Sequence, residues 1–455
     1  MSMRTDGMSE RTDGMSMRTD GMSERTDRVT GATLIRNARH WRTGAIVDLA
    51  FADGVVLAGV PREVDRTIDA GGAVLAPGLV DAHVHLREPG QSHKETVASG
   101  TRAAAAGGFT DVLCMPNTTP VVDQPVWVEW LVARARDHGA CRVHPIAALT
   151  LGQEGRQLAN LEALAAAGAV AFSDDGRPVM SAAMMRHGLE YARGTGRPVI
   201  AHEEDLTLRG DGVVHEGAVA ARLGLRGIPS EAESVMVRRD VELAALTGGR
   251  LHVAHASCAA SFDALRDAKR RGLDVTGETC PHYWMLTDEA IGAYDTHAKM
   301  NPPLRPEADR QATIRAIADG TIDLLATDHA PHGDDEKRQP MDAAPFGIVG
   351  LETALALTLT GLVRPGHVTL ARAIELWTDA PRRRFGLPAV TLEPGSPADL
   401  VLFDPDAEWT VDARQFQSAG RATPFDGATL RGQVRLTVCG GRVTHELART
   451  EAVLA

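Results

Sequence analysis

The sequence predicts an α/β protein: a (β/α)8 TIM-like barrel with a small β-sandwich domain built from both chain ends. Its middle part alternates eight short apolar, strand-like segments with helical stretches, and eight parallel strands joined by helical crossovers form a barrel. Both ends instead alternate short apolar runs with Gly and Asp turns, which is typical of strands and hairpins. The 455 residues suffice for one large domain and one small accessory domain.

Four segments are expected along the chain. Residues 1–28 repeat the heptads MSMRTDG and MSERTDG. Gly falls in nearly every repeat and Met is the only large apolar residue, so a coiled coil is excluded and a disordered repetitive tail is expected. The several Met residues also allow a start codon downstream. Residues 29–75 and 386–455 are expected to form the small β domain, and residues 76–385 the barrel.

Composition excludes several classes of protein. The net charge is −12 and no basic residues cluster, so no nucleic-acid partner is expected. No run of about 18 apolar residues occurs, so neither a transmembrane helix nor a membrane partner is expected. The five cysteines are scattered and never form a CxxC pair, which indicates reduced thiols in a cytoplasmic protein. Phosphate-binding loops and a GxSxG elbow are absent.

Polar residues follow several of the eight predicted strands, at the end of the barrel where active sites lie. The predicted strands are residues 78–86, 111–116, 143–149, 169–175, 198–204, 250–257, 273–279 and 322–328. On the first strand, His83 and His85 are two residues apart, so they point to the same face and can bind one metal ion. The alternative is a pair of histidines satisfied by ordinary hydrogen bonds.

Four further strand ends carry residues of the same kind. Asp174 and Asp175 end the fourth strand, and either could contribute a ligand. His202 ends the fifth, and Asp328 the eighth. On the sixth strand His252 and His255 are three apart, so only one faces the barrel mouth, and His255 is nearer the strand end. Four histidines and two aspartates from five strand ends predict a zinc site. Two ions about 3.5–4 Å apart can hold a hydroxide nucleophile, so the chemistry is expected to be hydrolytic.

Several long motifs resemble those of dihydroorotases. They are APGLVDAHVHLREPG at 76–90, MNPPLR at 300–305, ATDHAPH at 326–332 and the segment 335–353, and the similarity extends from about residue 30 onward. The resemblance implies an amidohydrolase-type zinc enzyme of pyrimidine biosynthesis. Its expected reaction is the reversible cyclisation of N-carbamoyl-L-aspartate to (S)-dihydroorotate plus water. The repeated tail at residues 1–28 is not part of the family pattern.

The resemblance also implies a role for each candidate ligand. Two Zn²⁺ ions per subunit are expected, one bound by His83 and His85 and the other by His202 and His255. Asp175, rather than Asp174, is expected to bridge them. Asp328 is expected to be both a ligand and the general base and acid. The fourth strand ends in FSDDG without a lysine, whereas hydantoinases, allantoinases and one dihydroorotase class bridge their metals with a carboxylated lysine. The sequence therefore resembles the class I dihydroorotases.

The substrate is anionic, so a carboxylate-binding group is expected beside the metals. Arg87 is suited to a bidentate contact with a carboxylate, although a surface ion pair is the alternative. The resemblance implies substrate contacts from six further residues: His85, Asn117, Asn301, His332, and, through backbone groups, Phe346 and Gly347. For the two asparagines the alternative is turn chemistry beside proline. The polar segment 333–345 is expected to cover the bound substrate.

Two other functions compete with this prediction. The first is another cyclic-amide hydrolase, such as a hydantoinase or an allantoinase, against which the missing lysine and Arg87 argue. The second is an inactive homologue that serves as a scaffold for aspartate transcarbamoylase, against which the complete set of ligands argues. The resemblance also suggests a homo-oligomer and an association of the active enzyme with aspartate transcarbamoylase.

Overall fold

A computed structural model describes residues 29–448 of the chain, so the tail predicted for residues 1–28 lies outside the described residues. The described part begins with short strands. β1 pairs antiparallel with β2 and parallel with both β4 and β5. These strands are β1 (Thr33–His40), β2 (Ile46–Ala52), β3 (Val55–Val56), β4 (Arg66–Asp69) and β5 (Val74–Pro77).

Eight parallel strands then form the barrel sheet, and each pairs with the next one along the chain. Every predicted strand segment overlaps one of them. A separate short pair, β11 and β12, lies between the fifth and sixth barrel strands. The strands are β6 (Leu79–Val84), β7 (Phe109–Cys114), β8 (Arg142–Ala147), β9 (Ala171–Ser173), β10 (Val199–Ala201), β11 (Val214–His215), β12 (Gly227–Ile228), β13 (Leu251–Val253), β14 (Val275–Thr279) and β15 (Leu324–Leu325).

Helices alternate with the barrel strands, as the sequence predicts. The first of them begins with a capping box, in which Thr96 accepts a hydrogen bond from the amide of Ser99 and the Ser99 side chain accepts one from the amide of Thr96. The helices are α1 (Val97–Ala106), α2 (Pro125–His138), α3 (Leu161–Ala166), α4 (Ala182–Thr195), α5 (Leu206–Arg209), α6 (Ala218–Leu223), α7 (Glu231–Thr247), α8 (Ala259–Arg270), α9 (Pro281–Met285), α10 (Glu307–Ala318), α11 (Asp334–Lys337), α12 (Ala354–Thr358), α13 (Leu370–Trp377) and α14 (Asp379–Phe385).

The chain ends with β16 (Leu400–Thr410), β17 (Thr429–Cys439) and β18 (Arg442–Glu446), which complete the sheet begun by β1–β5. β16 pairs antiparallel with β5, from Leu400 opposite Pro77 to Phe403 opposite Val74. One eight-stranded sheet therefore contains strands from both chain ends, as the sequence predicts.

Apolar side chains cover both faces of the barrel sheet. One buried cluster contains Val80, Leu113, Ile146, Ile200 and Leu324, all on or beside barrel strands. A larger cluster packs the strands against the surrounding helices. Strands buried on both faces have nearly continuous apolar sequences. The few polar residues at their ends can therefore be recognised as candidate site residues. Within residues 29–448, none of the helices has the length and hydropathy of a membrane-spanning helix.

The first and last barrel strands approach each other at the mouth. Val84 forms a parallel bridge with His329, and the amide of His85 donates to the carbonyl of His329 at 2.8 Å. This contact brings the residues after β15 beside the end of β6. It thereby places Asp328 next to the two histidines of the first strand.

An ion network around the buried Asp111 ties the barrel to the terminal sheet. The Asp111 carboxylate on β7 accepts from Arg382 at 2.7 Å, from Arg142 Nε at 2.9 Å and from His144 at 2.9 Å. Arg142 also pairs with Asp399, the residue before β16. Arginine with several planar donors is suited to such a shared contact.

Candidate active site

The six predicted ligands lie together at the barrel mouth, and Asp175 is at their centre. Its Oδ1 lies 3.4 Å from Nε2 of His83, 3.5 Å from Nδ1 of His202 and 3.7 Å from Nε2 of His255. Its Oδ2 lies 3.5 Å from Nε2 of His85. Asp175 therefore belongs to two possible metal-binding groups, one with His83 and His85 and one with His202 and His255.

Asp328 completes the cluster from the last barrel strand. Its Oδ1 lies 3.2 Å from Nε2 of His85 and 3.5 Å from Nε2 of His83. Asp174 faces elsewhere, because its carboxylate accepts hydrogen bonds from the amides of Leu149 and Thr150 and from the Thr150 hydroxyl. Of the two neighbouring aspartates, only Asp175 thus points at the histidines.

Partners on the far side of two imidazoles fix which nitrogen faces the cluster. His83 Nδ1 lies 2.8 Å from Glu278 Oε1, and His85 Nδ1 lies 2.8 Å from Asn117 Oδ1. Both partner atoms are acceptors, so each Nδ1 donates to its partner and each Nε2 is the nitrogen that faces Asp175 and Asp328. An imidazole held in this way is prepared to bind a metal ion.

The donor set fits a metal cofactor. His83 Nε2 and Asp175 Oδ1 are buried and make no hydrogen bond within the described chain. His202 Nδ1 and His255 Nε2 are 3.0 Å apart. Buried polar atoms normally have partners, and imidazole nitrogen with carboxylate oxygen is a ligand set that suits zinc. The unpartnered atoms at the centre of the cluster are therefore explained by metal ligation.

The carboxylates of the cluster are held in the charged form. Burial opposes the charge of Asp175, but His83, His202 and His255 together lower its pKa well below the usual value for aspartate. Burial likewise opposes the charge of Asp328, and the nearby His83 and His85 outweigh it, so its pKa is also lowered. Both side chains are thus available as anionic ligands.

Three residues around the cluster have left-handed backbone conformations. The φ angles of Arg87, His255 and Asp328 are +61°, +32° and +50°. Non-glycine residues adopt such angles at a free-energy cost, and they are concentrated at functional sites. Each of the three follows a barrel strand, where the turn directs its side chain into the mouth.

Arg87 supplies a positive charge to the pocket above the cluster. It is 7% exposed, and its Nε donates to the carbonyl of Pro331 at 3.1 Å. Within residues 29–448 it forms no ion pair with a carboxylate. Burial lowers its pKa from the usual arginine value, but a guanidinium stays charged. Arg87 is therefore a buried cation whose charge is not matched by a carboxylate within 4 Å among the described residues.

The other predicted substrate contacts line the same cavity of about 360 Å³. Asn117 also binds His85, as described, and Asn301 Nδ2 donates to Glu204 at 3.0 Å. Gly347, with φ +131°, approaches the barrel so closely that a Cβ would lie 2.6 Å from the Ala330 carbonyl oxygen. The predicted residues that line the cavity are His85, Arg87, Asn117, Asp175, His202, His255, Asn301, Asp328, His332, Phe346 and Gly347.

His332 is held neutral between positive groups. Burial, followed by the charges of Arg87, Lys94 and Lys337, lowers its pKa to about 2. Lys94 Nζ lies 3.3 Å from Nδ1, so this nitrogen accepts, and Nε2–H donates to the carbonyl of Phe346 at 2.8 Å. Arg87 Nη2 lies 3.3 Å from the same Nε2, which has no lone pair to offer. His332 therefore lies in contact with both the Arg87 guanidinium and the Phe346 carbonyl.

The sequence analysis missed two residues of this site. Glu278, on β14, binds His83 with one oxygen and lies 3.2 Å from His252 with the other. An acid in a barrel strand, one residue before the strand ends, was the available signal. Arg209, at the end of α5, also lines the cavity, and its guanidinium lies 5.2 Å from the centre of the Phe346 ring. Nothing in its local sequence distinguishes it from a surface arginine.

The barrel and its cluster of histidines and aspartates define a metal-dependent hydrolase of the amidohydrolase class. In agreement, residues 235–445 match the Amidohydrolase family, and residues 72–261 match the family described as Dihydro-orotase-like. A dihydroorotase of Anaeromyxobacter dehalogenans is 55% identical over 407 residues, which are 89% of this chain and 94% of that protein. A dihydroorotase of Desulforapulum autotrophicum is 49% identical and covers 88% and 95%. The chain therefore belongs to the dihydroorotase family.

Among solved structures, an L-hydantoinase from Arthrobacter aurescens has a similar fold. The TM-score is 0.83 at 27% identity, with 92% of this chain and 96% of that one covered. The similarity spans the barrel and the terminal sheet.

Proposed function

We propose that this chain is a dihydroorotase, which interconverts N-carbamoyl-L-aspartate and (S)-dihydroorotate plus water in the de novo synthesis of pyrimidines. The observation that carries the proposal is Arg87, a buried cation without a carboxylate partner within the described chain, beside the cluster around Asp175. Dihydroorotate combines a cyclic amide with a carboxylate. The pocket offers a hydrolytic centre for the first and a guanidinium for the second.

Two Zn²⁺ ions per subunit are proposed. His83 and His85 would hold one ion and His202 and His255 the other, while Asp175 would be shared by both. Support comes from the position of Asp175 in both possible metal-binding groups. When bound, such ions lower the pKa of a water molecule and polarise a carbonyl.

Asp328 is proposed as a further ligand and as the group that transfers the proton. In the hydrolytic direction, water oxygen adds to the ring amide carbon and Asp328 accepts the proton. The amide C–N bond then breaks, and Asp328 returns the proton to the leaving nitrogen. The position of Asp328 Oδ1 near His85 and His83 at the barrel mouth supports this role. The biosynthetic direction is the reverse, with loss of water.

Arg87 is proposed to bind the substrate carboxylate with its guanidinium. Asn117 and Asn301 are proposed to contact the substrate from two sides of the cavity, and His332 to orient the Phe346 carbonyl. Phe346 and Gly347 are proposed to contact the substrate through backbone groups. Their position on the cavity wall supports these roles.

Another cyclic amide is the main competing substrate, since the structural relative from Arthrobacter aurescens is a hydantoinase. The decisive experiment compares turnover of dihydroorotate, hydantoin and allantoin by the purified chain, with metal content measured on the same samples. Dihydroorotate should be turned over at least about a hundredfold faster than the other two, because two charged hydrogen bonds to its carboxylate contribute about 3 kcal/mol or more. Preference for hydantoin, or no turnover at full metal content, would contradict the proposal.

Assembly and location are proposed from the resemblance alone. We propose that the chain forms a homo-oligomer, associates with aspartate transcarbamoylase and is located in the cytoplasm. All three are in accord with a biosynthetic enzyme. Light scattering of the purified chain, with and without the transcarbamoylase of the same organism, tests the first two.

A further inference from the structure

Two buried lysines lie behind the pocket wall and are not accounted for by the proposed reaction. Lys337, at the end of α11, is 1% exposed, and Lys299 is 2% exposed. Neither forms an ion pair with a carboxylate within residues 29–448. Buried lysines are rare unless they are paired, so their ammonium groups need another explanation.

Both ammonium groups bind main-chain carbonyls of one segment. Lys337 Nζ donates to Pro345 at 3.0 Å, to Gly347 at 2.9 Å and to the carbonyl of Lys299 at 3.2 Å. Lys299 Nζ donates to Met341 at 2.5 Å and to Ala344 at 2.6 Å. Four carbonyls of residues 341–347 are therefore held by two cations. An ammonium has three donors, and at Lys337 all three are used.

The same segment forms one wall of the substrate cavity. Pro345, Phe346 and Gly347 line it, and the amide of Gly347 donates to the carbonyl of Lys299 at 3.0 Å. The Phe346 ring has Lys299 Nζ 4.6 Å from its centre and the Arg209 guanidinium 5.2 Å from its centre. A cation over an aromatic ring is attractive, so the ring is fixed together with the backbone.

We propose that Lys299 and Lys337 are positioning residues for the substrate, which hold residues 341–347 by their carbonyls and so place Phe346 and Gly347 against the bound ligand. This inference rests on the proposed function, since it takes these two residues to contact the substrate. It explains why two cations are kept in a buried place that hydrophobic side chains could fill. It also explains how a polar, proline-containing segment is given one conformation.

Burying the two ammonium charges costs folding free energy, which argues that the lysines serve a purpose other than stability. Burial, with the nearby charge of Lys299, lowers the pKa of Lys337 to about 7. Burial also lowers the pKa of Lys299 to about 8. Because both values lie below that of an unfolded lysine, the folded chain binds these protons less tightly than the unfolded one. The charged groups that face the pair are Asp295, Asp342, Arg209 and Arg226, and the neutral His332 lies near Lys337.

The test compares steady-state kinetics of Lys337→Met, Lys337→Gln, Lys299→Met and Lys299→Gln with the wild type. Methionine fills the space without donors, and glutamine keeps two donors. We expect KM for dihydroorotate to rise at least about tenfold in the methionine variants with kcat within about threefold, and to rise less in the glutamine variants. Metal content should not change. Lys269→Met is the matched control, because Lys269 pairs with Asp323 on the outside of the barrel, and it should keep the wild-type KM.

Several outcomes would overturn the inference. Folded methionine variants with a KM within about twofold of the wild type would do so. A lower kcat with an unchanged KM in the methionine variants would show that the lysines act in a step other than substrate binding. If methionine variants do not fold, the glutamine variants are judged by the same KM criterion. Failure of all four to fold would make the pair a requirement for folding alone. Absence of dihydroorotate turnover in the wild type would instead overturn the proposed function, and the variants would then be compared on the cyclic amide that is turned over.

Discussion

Glu278 Oε1 lies 2.8 Å from Nδ1 of His83, on the side of the imidazole opposite Asp175. The carboxylate is buried, and its pKa is lowered to about 2, since hydrogen bonds from His252 and His83 outweigh the cost of burial. An ionised Glu278 keeps the proton on Nδ1, so that Nε2 is the nitrogen that can bind a metal ion. The orientation of this candidate ligand thus depends on a residue 195 positions away in the chain.

Metal affinity should therefore respond to Glu278 as well as to His83. Replacing a partner of a metal-bound histidine typically weakens metal binding by about 10- to 100-fold, and we expect this of Glu278→Gln. His83→Ala removes a ligand and should lose most of the metal. Chelator competition and elemental analysis measure both effects. Unchanged zinc content in His83→Ala would sink that ligand assignment, and the exposed Glu154→Gln serves as the control.

Asp328→Asn should abolish turnover and still retain metal. The amide has nearly the same shape, but it cannot accept a proton from water, and loss of a general base typically costs about 10²- to 10⁴-fold in rate. The other five candidate ligands remain. Turnover of dihydroorotate and metal content of the same preparation provide the test, with Asp323→Asn for comparison. A near-normal rate would show that another group accepts the proton.

Arg87→Gln should discriminate between charged and neutral substrates. Loss of charge-assisted hydrogen bonds costs about 1.5–3 kcal/mol, so kcat/KM for dihydroorotate should fall by about 10- to 100-fold. Any residual turnover of hydantoin, which has no carboxylate, should not fall. The exposed Arg177→Gln should leave both values unchanged. A parallel loss for both substrates would contradict the role of Arg87 in carboxylate binding.

Stability should depend on Asp111 in a defined pH range. Burial opposes its charge, but His144, Arg382 and Arg142 lower its pKa below the usual value. Its contribution is therefore complete above the unfolded pKa of about 3.9 and is lost as the pH falls below it.

The substitution Asp111→Asn should lower the free energy of unfolding at pH 7 by about 3–5 kcal/mol, because it leaves the buried Arg382 without its partner. It should also remove part of the loss of stability that the wild type shows below about pH 4. Denaturant unfolding at pH 7 and pH 3.5 measures both. An equal difference between the two proteins at both pH values would exclude the ion network as the cause.

The sequence was most informative where the position of a residue depends only on the strand that contains it. His83 and His85 share a face because of the alternation within a single strand, and the apolar runs of the barrel are long enough to be recognised. The choice between Asp174 and Asp175 already depended on a resemblance, because adjacent residues differ only in the direction that the turn gives them. In the structure Asp174 is held by the amides of Leu149 and Thr150.

Contacts between distant segments could not be predicted. Remote contacts of this kind are made by Glu278, Arg209 and the two buried lysines. Their partners are residues distant in sequence or main-chain carbonyls, and neither kind of partner can be recognised from the local sequence. The segment 333–345 was expected to cover the substrate because of its polarity. Its anchoring by Lys299 and Lys337 depends on the burial of two side chains that composition alone places on the surface.

The pairing of β5 with β16 has a consequence for synthesis on the ribosome. About 320 residues separate Pro77 from its partner Leu400, and at about 5–20 residues per second their translation takes about 15–65 s. During that interval β5 is complete but lacks its neighbour on one side. The nascent chain therefore has an unpaired strand edge until the last strands emerge. Unpaired strand edges can pair with other chains and promote aggregation.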